Sequence, residues 1–494
     1  MTNPKADFVG RDEEMSVLRR MADSPIPMIA VVYGRRRIGK SMLLRTAFTG
    51  RPTLLFEGLE NQPKRVQIAN FLEQLCLQTQ TSRAKCDGVH SWREAFRLLH
   101  SSIGPSPVVI CFDEFQWMAN YRREIVSDLA LIWNQHLSTT PGLKLVLCGS
   151  IASFMIRKVV KGTALYGRVD EQIHLRAFEL GETRALLRSR GIDEILDAHL
   201  FTGGVPKYLS LLDGQPSIRT GLERLAFAPG GYLFREYDRI FTSHFGNNPV
   251  FEGLIAALAT HPEGMDRTGL AQATATSAGG MLSQHLSDLE AAGFVSSCQP
   301  LDKDENTRLT RYVLTDAYLR FYFAFIRPNR KQIVERTAQG LFARLQQSGA
   351  FNAWMGKAFE RLCLQHAARI SELLGFAGID FRHGPFFRRA SSQVPGTQID
   401  LLFDRKDKVM TLCEMKYTAS GVGVDVIPEV EKKVEVLSRI FPRRTIQRVL
   451  ITNLPASPQL LTRGYFYRVI LAEELCREAP VETISAEVEI NLEE

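Results

Sequence analysis

The stretch 33-YGRRRIGKS-41 decides the fold of this chain. It fits the spacing G-x-x-x-x-G-K-[ST] with Gly34, Gly39, Lys40 and Ser41. It follows the apolar run MIAVVY and precedes a helical pattern, the strand–loop–helix context this spacing requires. Glycines at these two positions let backbone N–H groups wrap phosphate oxygens, and the helix N-terminus behind them adds partial positive charge. Lys40 is expected on the outer phosphates, and Ser41 on a Mg²⁺ ion.

A strand that ends in acids supplies the partner of this loop. In 108-VVICFDEF-115 a buried-type apolar run closes on Asp113 and Glu114. Asp113 is expected to hold Mg²⁺ through water, and Glu114 to polarise the attacking water. Three further β-rich runs lie around these two, TLLFEG, LKLVLCGS and EQIHLRAF. Amphipathic stretches such as RVQIANFLEQLCLQ and REIVSDLALIWNQHL separate them. Strands alternating with helices predict a parallel sheet over the first ~175 residues.

With 494 residues the chain exceeds what a single core supports. Its 45% hydrophobic and 23% charged residues place it among folded proteins and not disordered ones. The net charge of +7 is compatible with nucleic acid without being diagnostic of it. The eight cysteines form no C-x-x-C pair, and several sit in apolar runs, so they read as reduced core thiols. The N-terminus has no apolar targeting segment, and the longest lipid-like run, YLRFYFAFI, is far too short to span a bilayer. A cytoplasmic protein without membrane contact is expected.

Downstream of the sheet the pattern turns helical from 179 to 248. Residues 249–326 read as three helices followed by a β-hairpin, the order of a winged helix. Its third helix, GGMLSQHLSDLEAAG, exposes Ser283, Gln284, His285 and Ser287 and has no arginine or lysine. Any DNA contact is therefore expected to be mostly without sequence specificity. In the hairpin, Lys303, Arg308 and Arg311 are offset by Asp302, Asp304 and Glu305. The polar stretch RPNRKQ marks 327–350 as a linker, and 351–494 as a last mixed α/β domain.

That last domain contains 398-QIDLLFDRKDKVMTLCEMKY-417. Period two puts Glu414 and Lys416 on one strand face, and a bend near Asp400 is expected to bring its carboxylate to theirs. Two converging carboxylates call for a hard divalent cation, Mg²⁺ or Mn²⁺, and a lysine beside it stabilises charge on a phosphate. Arg382, Arg388, Arg389, Arg405 and Lys406 lie near enough in sequence to approach a nucleic-acid backbone, or to form a solvated loop.

The motifs FVGRDEEMSVLRR, GRRRIGKS, CFDEFQWM, LVLCGS, ALYGR and TGGVPKYL together resemble AAA+ P-loop ATPases of the archaeal and bacterial type that carry a nuclease-like C-terminal domain. The resemblance implies ATP as ligand, contacted by Gly34, Arg35, Arg36, Arg37, Ile38, Gly39, Lys40, Ser41 and Met42. It implies a γ-phosphate sensor at Ser150, an arginine finger or sensor at Arg168, and a lid segment at Pro206. GTQIDLLF and LCEMKY resemble the PD-(D/E)xK nuclease superfamily, with Ile399 where that superfamily's proline stands. This second resemblance implies a metal held by Glu360, Asp400 and Glu414, with Lys416 as a further catalytic group. The expected whole is an α/β multidomain protein: a P-loop parallel-sheet ATPase with helical lid, a winged helix, and a restriction-endonuclease-like domain. In function it is expected to couple ATP binding and hydrolysis to a metal-dependent DNA endonuclease. The competing expectation is an ATP-dependent switch or scaffold, binding DNA or protein, whose nuclease-like domain is inactive. A homo-oligomer is expected if Arg168 acts in trans.

Overall fold

The computed structural model describes residues 8–104, 107–245, 248–299, 301, 310–388, 390 and 395–476. The wing turn with Asp302, Lys303, Asp304, Glu305 and Arg308, and also Arg389, lies outside them.

The N-terminal sheet contains β1 (Met28–Tyr33), β2 (Thr53–Glu57), β3 (Val109–Asp113), β4 (Lys144–Gly149) and β5 (Glu171–His174). All pairings are parallel, in the order β2-β3-β4-β1-β5. Both faces are covered, which is why the strands read as unbroken apolar runs. Ile29, Val31 and Tyr33 pack into one cluster with Phe71 and Phe112, while Ala30 and Val32 pack into another with Leu43 and Leu44. Some helices start where a side chain satisfies free N–H groups. At Trp92–Ser102 the Ser91 hydroxyl accepts from Glu94 N at 3.2 Å, and the Glu94 carboxylate accepts from Ser91 N at 3.0 Å.

The winged helix is built from helices Pro249–Ala259, Arg267–Ala273 and Gly280–Ala291. With them goes a three-stranded sheet, β6 (Met265–Asp266), β7 (Val295–Cys298) and β8 (Arg311–Leu314), in the order β6-β8-β7. Gly293, at φ 76°, turns the chain out of the third helix into β7.

The C-terminal sheet is mixed, in the order β13-β12-β11-β10-β9. Here β9 (Phe381–Arg388), β10 (Thr397–Arg405) and β11 (Val409–Lys416) run antiparallel. The helix Ile427–Ile440 then crosses over to β12 (Thr445–Thr452), which pairs in parallel with β11 and with β13 (Arg468–Leu471). The helix Gly349–Gln365 covers one face of this sheet through Phe359, Leu362 and Cys363, against Leu401, Phe403, Cys413 and Met415. Ile427–Ile440 covers the other through Val430 and Leu437, against Ile399, Leu402 and Leu412.

Residues 327–350 are not an extended linker. They form helices Arg330–Val334 and Leu341–Gln346, and Ile333, Ala338, Leu341 and Phe342 are buried in the core that holds the lid. Phe342 stacks on Phe227 at 5.2 Å, and its N–H donates to Glu223 at 3.0 Å. The polar RPNRKQ stretch hides this because its charges face out while the apolar residues behind it recur at helical spacing. Lid, winged helix and C-terminal domain thus share one apolar core that begins at Phe178.

Inside this shared core, His199 and His366 meet edge to face at 6.4 Å. His199 Nδ1 lies 2.8 Å from Thr183 Oγ1. Burial, and secondarily the neighbouring His366, push His199 down to about 3 from 6.5. The unfolded chain therefore binds a proton that the native state refuses, and native stability falls as pH drops below about 6.5. At pH 5 the loss is about 2 kcal/mol. Urea unfolding at pH 5.0 and 7.5 checks this: His199→Gln, which cannot titrate, should show a smaller difference between the two than the parent chain.

Candidate functional site

Order β3-β4-β1 brings three loops together at the C-terminal ends of adjacent strands, the crevice where open α/β sheets bind ligands. After β1, Gly34 has φ 157°, and a Cβ there would stand 2.2 Å from the Leu175 carbonyl oxygen, so the tight approach requires glycine. Gly39, at φ 91°, leads into the helix Lys40–Ala47. Lys40 is 6% exposed, and its Nζ donates to the carbonyls of Gly34 at 3.1 Å and Arg35 at 3.0 Å. The amine is thus held within the loop whose phosphates it is expected to meet.

Ser41 Oγ donates to Asp113 Oδ2, and Asp113 Oδ1 accepts from Glu114 N at 2.9 Å. A hydroxyl and a carboxylate in contact form a hard-oxygen set that fits Mg²⁺. Glu114 takes a left-handed backbone, φ 50°, which turns its side chain toward β4. There its Oε2 accepts from Ser150 Oγ at 2.6 Å and from Gln116 Nε2. Burial opposes ionisation of Glu114, but Lys40, the Ser150 and Gln116 hydrogen bonds and Arg36 outweigh it and hold the carboxyl below its ordinary value. Glu57, at the end of β2, is raised by burial and then by Asp113 and Glu114.

Beside the loop lies a cavity of about 880 Å³ lined by Arg11, Arg37, Ile38, Gly39, Met42, Phe178, Pro206, Lys207 and Tyr232 among others. Ile38, Met42 and Pro206 are residues the sequence assigned to nucleotide. Arg11 is one it missed. Its guanidinium lies 4.6 Å from the Phe178 ring centroid and donates to the Arg176 carbonyl at 2.6 Å. The motif FVGRDEEM contains it, but nothing local says that the arginine turns inward. Arg168 stands apart from the cavity lining. Its guanidinium donates to Asn134 Oδ1 at 2.8 Å and to the carbonyls of Ala164 and Tyr166, each at 3.3 Å, so it ties its own loop together.

The three loop arginines each reach a different part of the molecule. Arg35 pairs with Asp316, which is 2% exposed, and lies 5.2 Å from the Phe294 ring centroid. Both partners belong to the winged-helix segment. Arg37 pairs with the fully buried Glu236 of the lid at 2.7 Å and sits over Tyr232. Arg36 pairs with Glu60 at 2.8 Å. A second link to the winged helix runs from Arg157, shortly after the Ser150 loop, to Asp288 on the Gly280–Ala291 helix at 2.5 Å. Ser287 and Gln284 on that helix remain exposed, while Ser283 accepts from Arg267 at 3.0 Å.

The C-terminal acids are divided between the two faces of their sheet. The β9/β10 register shifts between Ile399 and Leu402, and Asp400 turns toward the Gly349–Gln365 helix. There Lys357 Nζ is 3.6 Å from Asp400 and 2.8 Å from Glu360. Burial, then the Asp400 charge, push Glu360 up to about 7. Glu414 points to the other face, where it is 2% exposed and paired with Lys433 at 2.7 Å and Lys416 at 3.0 Å. Lys416 also pairs with Glu429 at 2.9 Å. The bend at Asp400 exists, but it carries the carboxylate away from Glu414 instead of toward it. Among the described residues no three His, Cys, Asp or Glu side chains are grouped to hold a metal.

The basic residues near these acids are engaged as well. Arg382 pairs with Asp404 at 3.2 Å, and Arg405, 9% exposed, pairs with Asp407 and stacks on Phe376. Among the described residues no helix is long and apolar enough to cross a membrane.

Residues 8–212 match an ATPase domain family described as predominantly from Archaea. Residues 322–427 match a family of archaeal and bacterial proteins of unknown function. An uncharacterized protein of Methanocaldococcus jannaschii is 23% identical over 83% of this chain and 87% of its own length. Among solved structures, a Walker-type ATPase of Pyrococcus abyssi aligns over 64% of this chain and 96% of its own, at 18% identity and TM-score 0.47. The ORC2 protein of Aeropyrum pernix, in its ADPNP–ADP complexes, aligns over 68% and 96%, at 14% identity and TM-score 0.43.

Proposed function

We propose that this chain, an ATPase domain of the predominantly archaeal family joined to a domain of the archaeal and bacterial family of unknown function, is an ATP-driven conformational switch. In this reading the phosphate loop senses nucleotide, and the winged helix with the C-terminal sheet is the switched half, a platform for DNA or protein. One observation carries the reading: the loop that would cradle phosphate sends Arg35 to Asp316 and Arg37 to Glu236, both acids buried outside the ATPase sheet.

The residues act in sequence. Lys40 Nζ, now donating to the Gly34 and Arg35 carbonyls, would turn its donors to the phosphates. Ser41 and Asp113 are the residues that would hold Mg²⁺, which would shield phosphate charge when bound. Arg35 and Arg37 are rigidly continuous with this loop, so their partners feel its rearrangement. Glu114 polarises water, and hydrolysis resets the loop.

A second reading, a metal-dependent DNA endonuclease under nucleotide control, is favoured by Glu360 and Asp400 lining a cleft of about 340 Å³ beside Lys357 and His383. Glu414 on the opposite face weighs against it. One experiment separates the two. Supercoiled DNA is incubated with Mg²⁺ or Mn²⁺, with and without ATP, while amide exchange is followed in Gly280–Ala291 and around Asp316. The switch predicts intact DNA and an ATP-dependent change in exchange that Lys40→Ala abolishes. Nicking lost in Asp400→Ala would establish the endonuclease instead.

A further inference from the structure

We propose that Gln116 is a positioning residue for ATP hydrolysis: its amide clamps one oxygen of Glu114 and both bonding groups of Ser150, leaving the other Glu114 oxygen for the attacking water. The inference rests on the reading of Glu114 as the water-polarising acid.

Gln116 is fully buried in the one-turn helix Phe115–Met118 that follows Glu114. Every polar group of its side chain is used. Nε2 donates to Glu114 Oε2 and to Ser150 Oγ at 3.0 Å, and Oε1 accepts from Ser150 N at 3.1 Å. Ser150 Oγ closes the ring by donating to Glu114 Oε2 at 2.6 Å. Both bonds that reach the Glu114 carboxylate fall on Oε2, so it has one anchored oxygen and one oxygen to which no described residue donates. A general base needs that asymmetry, because a carboxylate free to rotate presents its lone pairs to water only part of the time.

A second observation concerns Gly149. A Cβ there would lie 2.7 Å from Gln116 Oε1 and 2.6 Å from the Met155 sulfur, so glycine before Ser150 makes room for the amide. The ring also assigns Gln116 a task when Ser150 responds to the γ-phosphate. Ser150 has a single proton, now directed to Glu114. When that hydroxyl turns to phosphate, Gln116 Nε2 remains as the donor on Oε2, and the carboxylate keeps its orientation.

The test uses the full chain and steady-state ATP hydrolysis. Gln116→Leu, close in volume and without polar atoms, should lower kcat by about 10- to 100-fold and move KM for ATP by less than about threefold. Gln116→Met serves as the second apolar variant should leucine impair folding, judged by the thermal transition. An unchanged kcat, or a change confined to KM, would overturn the role. A parent chain without ATP hydrolysis would remove the reading of Glu114 on which the role depends, a result distinct from active parent and active variant.

Discussion

Lys40→Ala is expected to lower kcat/KM for ATP by about three orders of magnitude. Two losses combine in this one change. The ammonium is the buried cation nearest the phosphate path, parked on the Gly34 and Arg35 carbonyls until phosphate oxygens replace them. Lys40 is also the leading charge that keeps Glu114 ionised against its own burial. Without it the acid moves upward, toward the protonated form that cannot polarise water. The variant should stay folded at assay temperature, because among the described residues the amine's hydrogen bonds go to two loop carbonyls. Phosphate release and binding of a fluorescent ATP analogue measure the two losses separately. Turnover within tenfold of the parent would contradict both.

Arg35→Ala should destabilise the chain by about 3–5 kcal/mol, the size expected when a buried ion pair loses one partner. Asp316 is 2% exposed, and without Arg35 its main compensation is the Leu319 N–H, which it caps at 2.7 Å. Coulomb attraction to Asp316 is also the largest influence holding the Arg35 charge against its partial burial. Asp316→Asn alone leaves the guanidinium buried without its counter-charge and should cost a similar amount. The two changes together should cost less than their sum, since neither then strands a charge. Calorimetry adds a functional reading: the parent should melt with the ATPase sheet and winged helix cooperatively, and Arg35→Ala should separate their transitions. A loss below about 1 kcal/mol would mean that the pair is solvated and carries no signal.

Much of this architecture was legible because the signals are local. Strands buried on both faces read as apolar runs, a phosphate loop reads from glycine spacing, and the third helix of the winged unit ends visibly at Gly293. The rest depends on contacts that sequence spacing does not contain. Asp400 and Glu414 were expected to converge from strand alternation and a bend near Asp400. A register shift between Ile399 and Leu402 reverses the facing of Asp400, and nothing in QIDLLF announces where an extra residue is accommodated. Residues 327–350 read as linker from their charges, whereas Ile333 and Phe342 bind them to the lid. Arg35 and Arg37 were expected among the nucleotide contacts, and the acids that pair with them stand some two to three hundred residues away. Gln116 stood in a quoted motif, yet its role is defined only by Ser150 on the neighbouring strand.

The single apolar core from Phe178 onward changes where this molecule divides. Composition suggests cutting between 326 and 351 to obtain a separate C-terminal module. Such a fragment would arrive with Phe351, Met355 and Phe359 stripped of the lid, an aggregating half rather than a domain. The thermodynamic seam lies near 175–178, where the last strand of the ATPase sheet ends and the shared core begins. Across that seam the ties described are mostly ion pairs and cation–π contacts, led by Arg35 and Arg37, with Ala291 packed against the core of the sheet. A joint made of ion pairs over a short connection can be opened and reclosed, whereas a fused apolar core cannot, so recombination in such chains should exchange the front end and inherit everything behind it as one piece.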